Sequence, residues 1–436
     1  MSNSTISTPT LSRRSSFNTR EPLTRTLQPI NVSSIKVLLL EGINQKAVNR
    51  LKSTGFQVES LTKSLSEEEL IEKIKDVHAV GIRSKTQLNK NVLEHADKLI
   101  VIGCFCIGTN QVDLEFAASK GISVFNSPFS NSRSVAELVI AEIIMLARQL
   151  GERVKEMSQG IWNKVSQNCN EIRGKVLGII GYGHIGTQLS VIAESLGMRV
   201  IWYDIQPVMP LGMSRSMRSM EDVLVQSDFV SIHIPETHET INMISGPQLA
   251  LMKPTAFLIN ASRGTVVDIP ALAAALKEKR IAGAAVDVFP VEPFKNGKYF
   301  ESELINCPNV IMTPHIGGST DEAQSMIGDE VAAAIIKFIN AGTSSNAVNF
   351  PECDLRAIPF SDKKTFRLVN VHQNVPGVLG QINSVLSGWN VEKQVSDSRG
   401  DIAYFIADIR VEDTHQIDSI YSQISSISEN IITRAL

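Results

Sequence analysis

With 436 residues, 43% of them hydrophobic and 20% charged, the chain is too long for one ordinary core and too apolar to be disordered or collagen-like. A net charge of −3 without any long basic block gives no electrostatic footprint for nucleic acid or an acidic membrane, so a small-molecule ligand is expected. No apolar run reaches the roughly 18 residues of a spanning helix, and the start lacks the apolar region of a signal peptide. The five cysteines are odd in number and show no metal spacing, which predicts a cytoplasmic protein with reduced thiols and no metal site.

Residues 1–33 are rich in Ser, Thr and Arg and lack apolar periodicity, so a disordered tail is expected. The same composition is that of a mitochondrial transit peptide, and Arg13-Arg14-Ser15-Ser16 suits a kinase. From Lys36, strands are predicted at Val37–Glu41, Ala79–Arg83, Leu99–Cys106 and Ile122–Asn126, with amphipathic helices between them. Alternation of this kind builds a parallel sheet. Ser134 and Glu137 have the spacing of a capping box, which predicts an apolar helix over Leu138–Leu150.

A second β/α series starts at Lys175 and continues through Val200–Asp204, Phe229–Ile234, Ala256–Asn260, Ala284–Val288 and Val310–Thr313. The helical pattern Glu322–Asn340 is expected to cross back onto the first unit, which makes that unit discontinuous. Ala341–Lys364 reads as a linker. The last 72 residues follow the order β-α-β-β-α-β, the ferredoxin-like plan. The expected division is a tail (1–33), a first domain (34–130 with 319–350), a central domain (131–318), a linker (351–364) and a small domain (365–436).

Gly181-Tyr182-Gly183-His184-Ile185-Gly186 follows the apolar strand Val176–Ile180 and opens a helix with an apolar face at Ile185, Leu189, Ile192 and Leu196. In that context G-x-G-x-x-G binds a dinucleotide pyrophosphate at the helix start. Asp204 ends the next strand, eighteen residues after Gly186, where a carboxylate takes the adenosine ribose hydroxyls. Ile205 and Gln206 follow rather than an Arg, which favours NAD over NADP. Three later strand ends carry Arg263, Glu292 and His315. Oxidising an alcohol requires a base for the hydroxyl proton, and His315 is the candidate; Glu292 suits its orientation, and Arg263 offers a fork for a carboxylate.

Arg263, Glu292 and His315 in this order, with the Asp287 segment and a mid-chain fingerprint, resemble the D-isomer-specific 2-hydroxyacid dehydrogenases over residues 34–436. The fold this implies is α/β, with two Rossmann-like doubly wound parallel-sheet domains, the first discontinuous, and a C-terminal ferredoxin-like domain similar to an ACT domain. The resemblance implies NAD contacts at Gly181, Gly183, His184, Ile185, Gly186, Asp204, Ala261, Ser262, Arg263, Asp287, His315, Ile316, Gly317 and Gly318. It places Arg83, Ser84, Asn110 and Lys164 on the substrate, with Arg83 and Lys164 toward a phosphate.

His372, Asn374 and Asn390 match ACT positions that bind an amino-acid effector, and the resemblance implies L-serine in that role. The members it resembles oxidise 3-phospho-D-glycerate in the first step of L-serine synthesis. A dimer or tetramer is expected. Two other readings stay open at this point: a reductase of hydroxypyruvate, glyoxylate or 2-oxoglutarate, and a non-enzymatic NAD sensor of the corepressor kind.

Overall fold

The computed structural model describes residues 32–293, 296–359, 362 and 364–436. The tail expected to be disordered, 1–33, ends within a short 3-10 helix, Val32–Ser34; the rest of that expectation, the transit peptide and the kinase site lie outside the described residues.

The chain opens with β1 (Lys36–Leu39), α1 (Gln45–Ser53), β2 (Gln57–Ser60), α2 (Glu67–Ile74), β3 (Ala79–Ile82), α3 (Lys90–Glu94), β4 (Val101–Cys104), α4 (Leu114–Ser119) and β5 (Ser123–Phe125). These strands form a parallel sheet in the order β2-β1-β3-β4-β5. β3, β4 and β5 are buried throughout, which is why β3 and β4 read as continuous apolar runs rather than alternating ones; β5 departs only at Ser123. Asn44, Ser66, Asn89 and Asp113 each accept a first-turn amide of the helix they precede, which fixes where those four helices begin.

Next come α5 (Ser132–Ala147) and α6 (Leu150–Ser158). The expected capping box is not formed, and the helix starts earlier than predicted. Asn131 precedes it, so Ser134 and Glu137 already lie inside the first turns. Glu137 pairs with Arg133, and the Ser134 hydroxyl lies 2.7 Å from that of Thr320. Nine residues of α5 are buried, as its nearly all-round apolar sequence demands.

The second sheet contains β6 (Val176–Ile180), α7 (His184–Ser195), β7 (Arg199–Tyr203), β8 (Arg215–Ser216), α8 (Met220–Gln226), β9 (Phe229–Ile232), α9 (Gly246–Leu251), β10 (Phe257–Asn260), α10 (Ile269–Lys277), β11 (Gly283–Val286) and β12 (Val310–Met312). Its order is β12-β11-β10-β9-β6-β7-β8, all parallel. The direction of winding reverses between β6 and β9. A crevice opens beyond the strand ends at such a switch point, and the Gly181 loop stands there.

α11 (Asp321–Ala341) then returns to pack on α1 and β4 of the first sheet. The first part of the stretch read as a linker packs on the first unit: Val348 donates to the Val124 carbonyl, Ala347 bridges Phe125, and Phe350 and Cys353 are buried in the first core. Ser345 and Asn346 make its turn, while buried Asn349, which accepts the Val124 amide and donates to the Ile122 carbonyl, and the apolar residues anchor it.

The last unit has β13 (Thr365–Gln373), α12 (Val378–Leu386), β14 (Asn390–Arg399), β15 (Ile402–Arg410), α13 (Thr414–Ser425) and β16 (Asn430–Ala435), in an antiparallel sheet β14-β15-β13-β16. This is the ACT-like plan. Leu368, Phe405 and Ala407 face the two helices, whereas Val369, Val371, Tyr404 and Ile406 join the core of the first sheet. Two buried cations secure that junction. Arg367 pairs with Asp408 at 2.7 and 3.0 Å and donates to three carbonyls, including Ala341, while Arg434 donates to Phe338 and Ile339 over the Phe338 ring. Such charges are tolerated inside only when so fully partnered.

Candidate active site

The glycine loop is shaped by contacts that leave no room for side chains. Gly181 has φ +93°, and a Cβ there would overlap the His233 carbonyl; one at Gly186 would overlap the Gly181 carbonyl. Only glycine adopts the first conformation without strain, and only glycine lets α7 approach β6 so closely. Around the Cβ position of Gly183 there is open space, the room a pyrophosphate needs at the start of α7. Asp204 accepts the Tyr182 amide at 2.7 Å and the Gln206 amide at 2.8 Å, so it holds the loop from below and keeps a lone pair on each oxygen for ribose hydroxyls.

Three neighbouring strand ends converge on the crevice. After β10, buried Asn260 accepts the amide and hydroxyl of Ser262 and donates to the Arg263 carbonyl, folding the turn that carries Arg263. A Cβ on Gly264 would overlap the Phe289 backbone, so this turn lies directly on the loop after β11. That loop is closed by Glu292, whose Oε1 accepts the Phe289 amide at 3.0 Å. Its Oε2 stands 2.7 Å from Nδ1 of His315, at the end of the loop after β12.

His315 sits at φ +53°, a left-handed conformation that costs a non-glycine residue about 1 kcal/mol. Asp287 holds it there. The Asp287 carbonyl accepts the His315 amide, and its carboxylate accepts the amides of Ile316 and Gly317 and the hydroxyl of Thr313. The pair is electrostatically tuned. The hydrogen bond to Glu292 raises the His315 pKa against the opposing effect of burial, and the Glu292 and Asp287 charges add to the rise. Burial pushes the Glu292 carboxyl upward, but the His315 hydrogen bond, the Phe289 amide and the nearby cations outweigh it and hold the group low.

Arg263 and His315 line two adjoining cavities. One, of about 250 Å³, also touches His184, Ile185, Ala261, Ser262, Asp287, Gly317 and Gly318. The other, of about 890 Å³, is bounded by the 108–115 segment of the first unit, including Asn110, and by Glu292. Of the residues expected for the cofactor, those at 184, 185, 261–263, 287, 315, 317 and 318 line the smaller cavity, whereas Gly181, Gly183, Gly186, Asp204 and Ile316 do not. Glu41 fixes the loop of Arg83 and Ser84 at the end of β3 by accepting the amides of Arg83, Lys85 and Thr86. Lys164 is exposed and lines neither cavity.

In the small unit, His372 is buried against Asn370, and Asn374 donates to Gly400. Asn390 stands level with Arg410, whereas His372 is level with Ala403, so one chain does not bring these residues together.

Sequence reasoning missed several residues at the crevice. The Phe129 ring stacks on His184 at 3.6 Å, joining the segment after β5 to the glycine loop. His233, pushed down to about 3 by burial, lines the smaller cavity with its Nδ1 unpartnered, as is the Oδ1 of Asn131. On α5, Glu142 is 1% exposed with neither carboxyl oxygen bonded, and burial, helped by the Asp287 charge, raises it to about 8. Only the oddity of a carboxylate within an apolar helix hinted at it.

Residues 140–317 match the family described as D-isomer specific 2-hydroxyacid dehydrogenase, NAD binding domain. Over 418 residues the chain is 57% identical to D-3-phosphoglycerate dehydrogenase 1 of Saccharomyces cerevisiae, covering 94% of this chain and 89% of that one. The chain belongs to the D-isomer-specific 2-hydroxyacid dehydrogenase family. D-3-phosphoglycerate dehydrogenase of Escherichia coli is 50% identical over 382 residues, 87% of this chain and 92% of its own. Among solved structures, D-lactate dehydrogenase with NAD⁺ from Lactobacillus jensenii superposes with a TM-score of 0.65 at 28% identity, over 72% of this chain and 99% of that one.

The protein is therefore an NAD-dependent oxidoreductase, and its residues fit that cofactor: open space at Gly183, a carboxylate at Asp204 and two buried, unpartnered polar atoms on residues that line the smaller cavity. Among the described residues no cluster of three metal-ligating side chains occurs, and no helix is long and apolar enough to cross a membrane.

Proposed function

We propose that the enzyme oxidises 3-phospho-D-glycerate with NAD⁺ to 3-phosphohydroxypyruvate, NADH and a proton, the first step of L-serine synthesis. The observation that carries this reading is the meeting of Arg263, Glu292 and His315 where the two cavities adjoin. Relatives named for this substrate and similar over nearly the whole chain support it.

When bound, NAD⁺ supplies the acceptor for the hydride. The rest falls to the chain. Glu292 on Nδ1 fixes the imidazole tautomer, leaving Nε2 to take the C2 hydroxyl proton, and it stabilises the imidazolium that results. Arg263 holds the substrate carboxylate with its planar fork. Arg83 and Lys164 are proposed for the phosphate, with Ser84 and Asn110 beside the substrate. Asp287 keeps the His315 loop in its strained conformation. NAD contacts are proposed at the glycine loop, Asp204, Ala261 to Arg263, Asp287 and His315 to Gly318.

We propose further that L-serine binds the ACT-like unit through His372, Asn374 and Asn390 and slows turnover, and that the enzyme is a cytoplasmic homo-oligomer, a dimer or tetramer. Purified protein given 3-phosphoglycerate and NAD⁺ should generate absorbance at the NADH wavelength, and His315→Ala should abolish it. Faster turnover with glycerate or 2-hydroxyglutarate than with the phosphorylated acid would overturn the substrate assignment. Activity unchanged by saturating L-serine would overturn the regulatory one.

A further inference from the structure

Asn131 occupies the N-cap position of α5 yet does not act as a cap: its side chain makes no bond to the helix amides. An asparagine there normally accepts an amide of the first turn. Here the side chain turns away, its Nδ2 packed where a Cβ of Gly318 would be, and the residue is only 8% exposed. Its Oδ1 has no partner at all. A buried, unpartnered amide oxygen is left without the bonds it makes in water, so the position is destabilising until a donor arrives.

The surroundings indicate which donor. Asn131 lines the smaller cavity with His184, Asp287, His315 and Gly317. The Asp287 carboxylate there already takes three donors, Thr313 and Ile316 on one oxygen and Gly317 on the other, so it keeps one acceptor position and a second acceptor is needed for the other N–H of a primary amide. Asn131 is also rigidly placed: Phe129, two residues earlier, stacks on His184, and Ser134 on the next turn bonds Thr320. A primary amide is complementary to another primary amide, each offering N–H and C=O groups.

We propose that Asn131 is a positioning residue for the nicotinamide end of the cofactor, its Oδ1 accepting an N–H of the carboxamide and so setting the plane of the ring that faces the substrate. This deepens the reading of the cavity as the dinucleotide site and rests on it.

The test measures dissociation constants for NADH and for reduced 3-acetylpyridine adenine dinucleotide, which carries a methyl ketone in place of the carboxamide. The full-length protein and its Asn131→Leu and Asn131→Asp variants are compared. Asn131→Leu should weaken NADH about tenfold and leave the acetylpyridine analogue unchanged, while Asn131→Asp, which keeps an acceptor, should bind NADH nearly as the parent does. The melting temperature of cofactor-free Asn131→Leu should stay level or rise, because an orphaned oxygen has been removed; a merely structural residue would lower it. NADH affinity unchanged in Asn131→Leu, or both dinucleotides weakened by the same factor, overturns the proposal, the latter pointing to a ribose hydroxyl. If Asn131→Leu does not fold, Asn131→Asp decides: tenfold weaker NADH binding with that acceptor retained overturns it too. Failure of the parent protein to bind NADH would overturn the dinucleotide site itself, a distinct result.

Discussion

Glu292 bonds His315 through one carboxylate oxygen and the backbone of its own loop through the other, so the group that orients the imidazole is itself fixed by the Phe289 amide. A base aligned by a rigid carboxylate is aligned without further reorganisation when substrate binds. It is also a stronger base, because the negative charge favours the imidazolium.

This makes the pH profile diagnostic. Alcohol oxidation needs neutral His315, and the Glu292 hydrogen bond raises its pKa, so the acid limb of kcat/KM should lie above the ordinary histidine value. Glu292→Gln removes the raising interaction and should move that limb to lower pH. Activity at the optimum should fall by less than the 10²–10⁴-fold roughly expected for losing the base itself. A limb that stays in place would show that another group titrates.

Asp287 should be as sensitive as the residues it supports. Asp287→Ala strands the amides of Ile316 and Gly317 and the Thr313 hydroxyl, each costing about 1–3 kcal/mol if left dry, and frees the His315 loop from its left-handed turn. A catalytic group displaced by an ångström loses on the order of 10² in rate. Steady-state kinetics beside thermal melts should show both losses together.

Glu142 predicts a stability effect. Its carboxyl is raised from 4.5 to about 8, so the fold favours the protonated acid. That advantage is complete below pH 4.5 and is lost as pH rises through about 8. Glu142→Gln, permanently neutral, should match the parent at pH 4 and exceed it at pH 9 by on the order of a few kcal/mol, read from denaturant unfolding at the two values.

The phosphate assignment is tested by substrate choice. Arg83→Ala should raise KM for 3-phosphoglycerate roughly 10–100-fold, the worth of one charge-assisted hydrogen bond, and leave an unphosphorylated 2-hydroxy acid unaffected. Lys164→Ala follows the same pattern if that exposed residue reaches the phosphate. Equal effects on both substrates would remove either residue from that role.

The amino-acid sequence alone determined the sheets, the dinucleotide loop and the order of strand ends, because these follow from local rules. Buried parallel strands are apolar throughout, as β3 and β4 are, and a turn at φ +93° against a carbonyl must be glycine, as Gly181 is. Arg263, Glu292 and His315 stood out because each ends a strand of one sheet. Local rules misled at α5, where Ser134 and Glu137 match a cap by spacing but lie within the helix, and at 341–364, where turn residues hid buried Phe350 and Cys353. Only the tertiary structure decided what meets across distance: the bond of Glu292 to His315, the hold of Asp287 on its loop, Phe129 against His184, and the oxygen of Asn131 left without a partner. Such contacts depend on where separate strands end in space, which no spacing along the chain encodes.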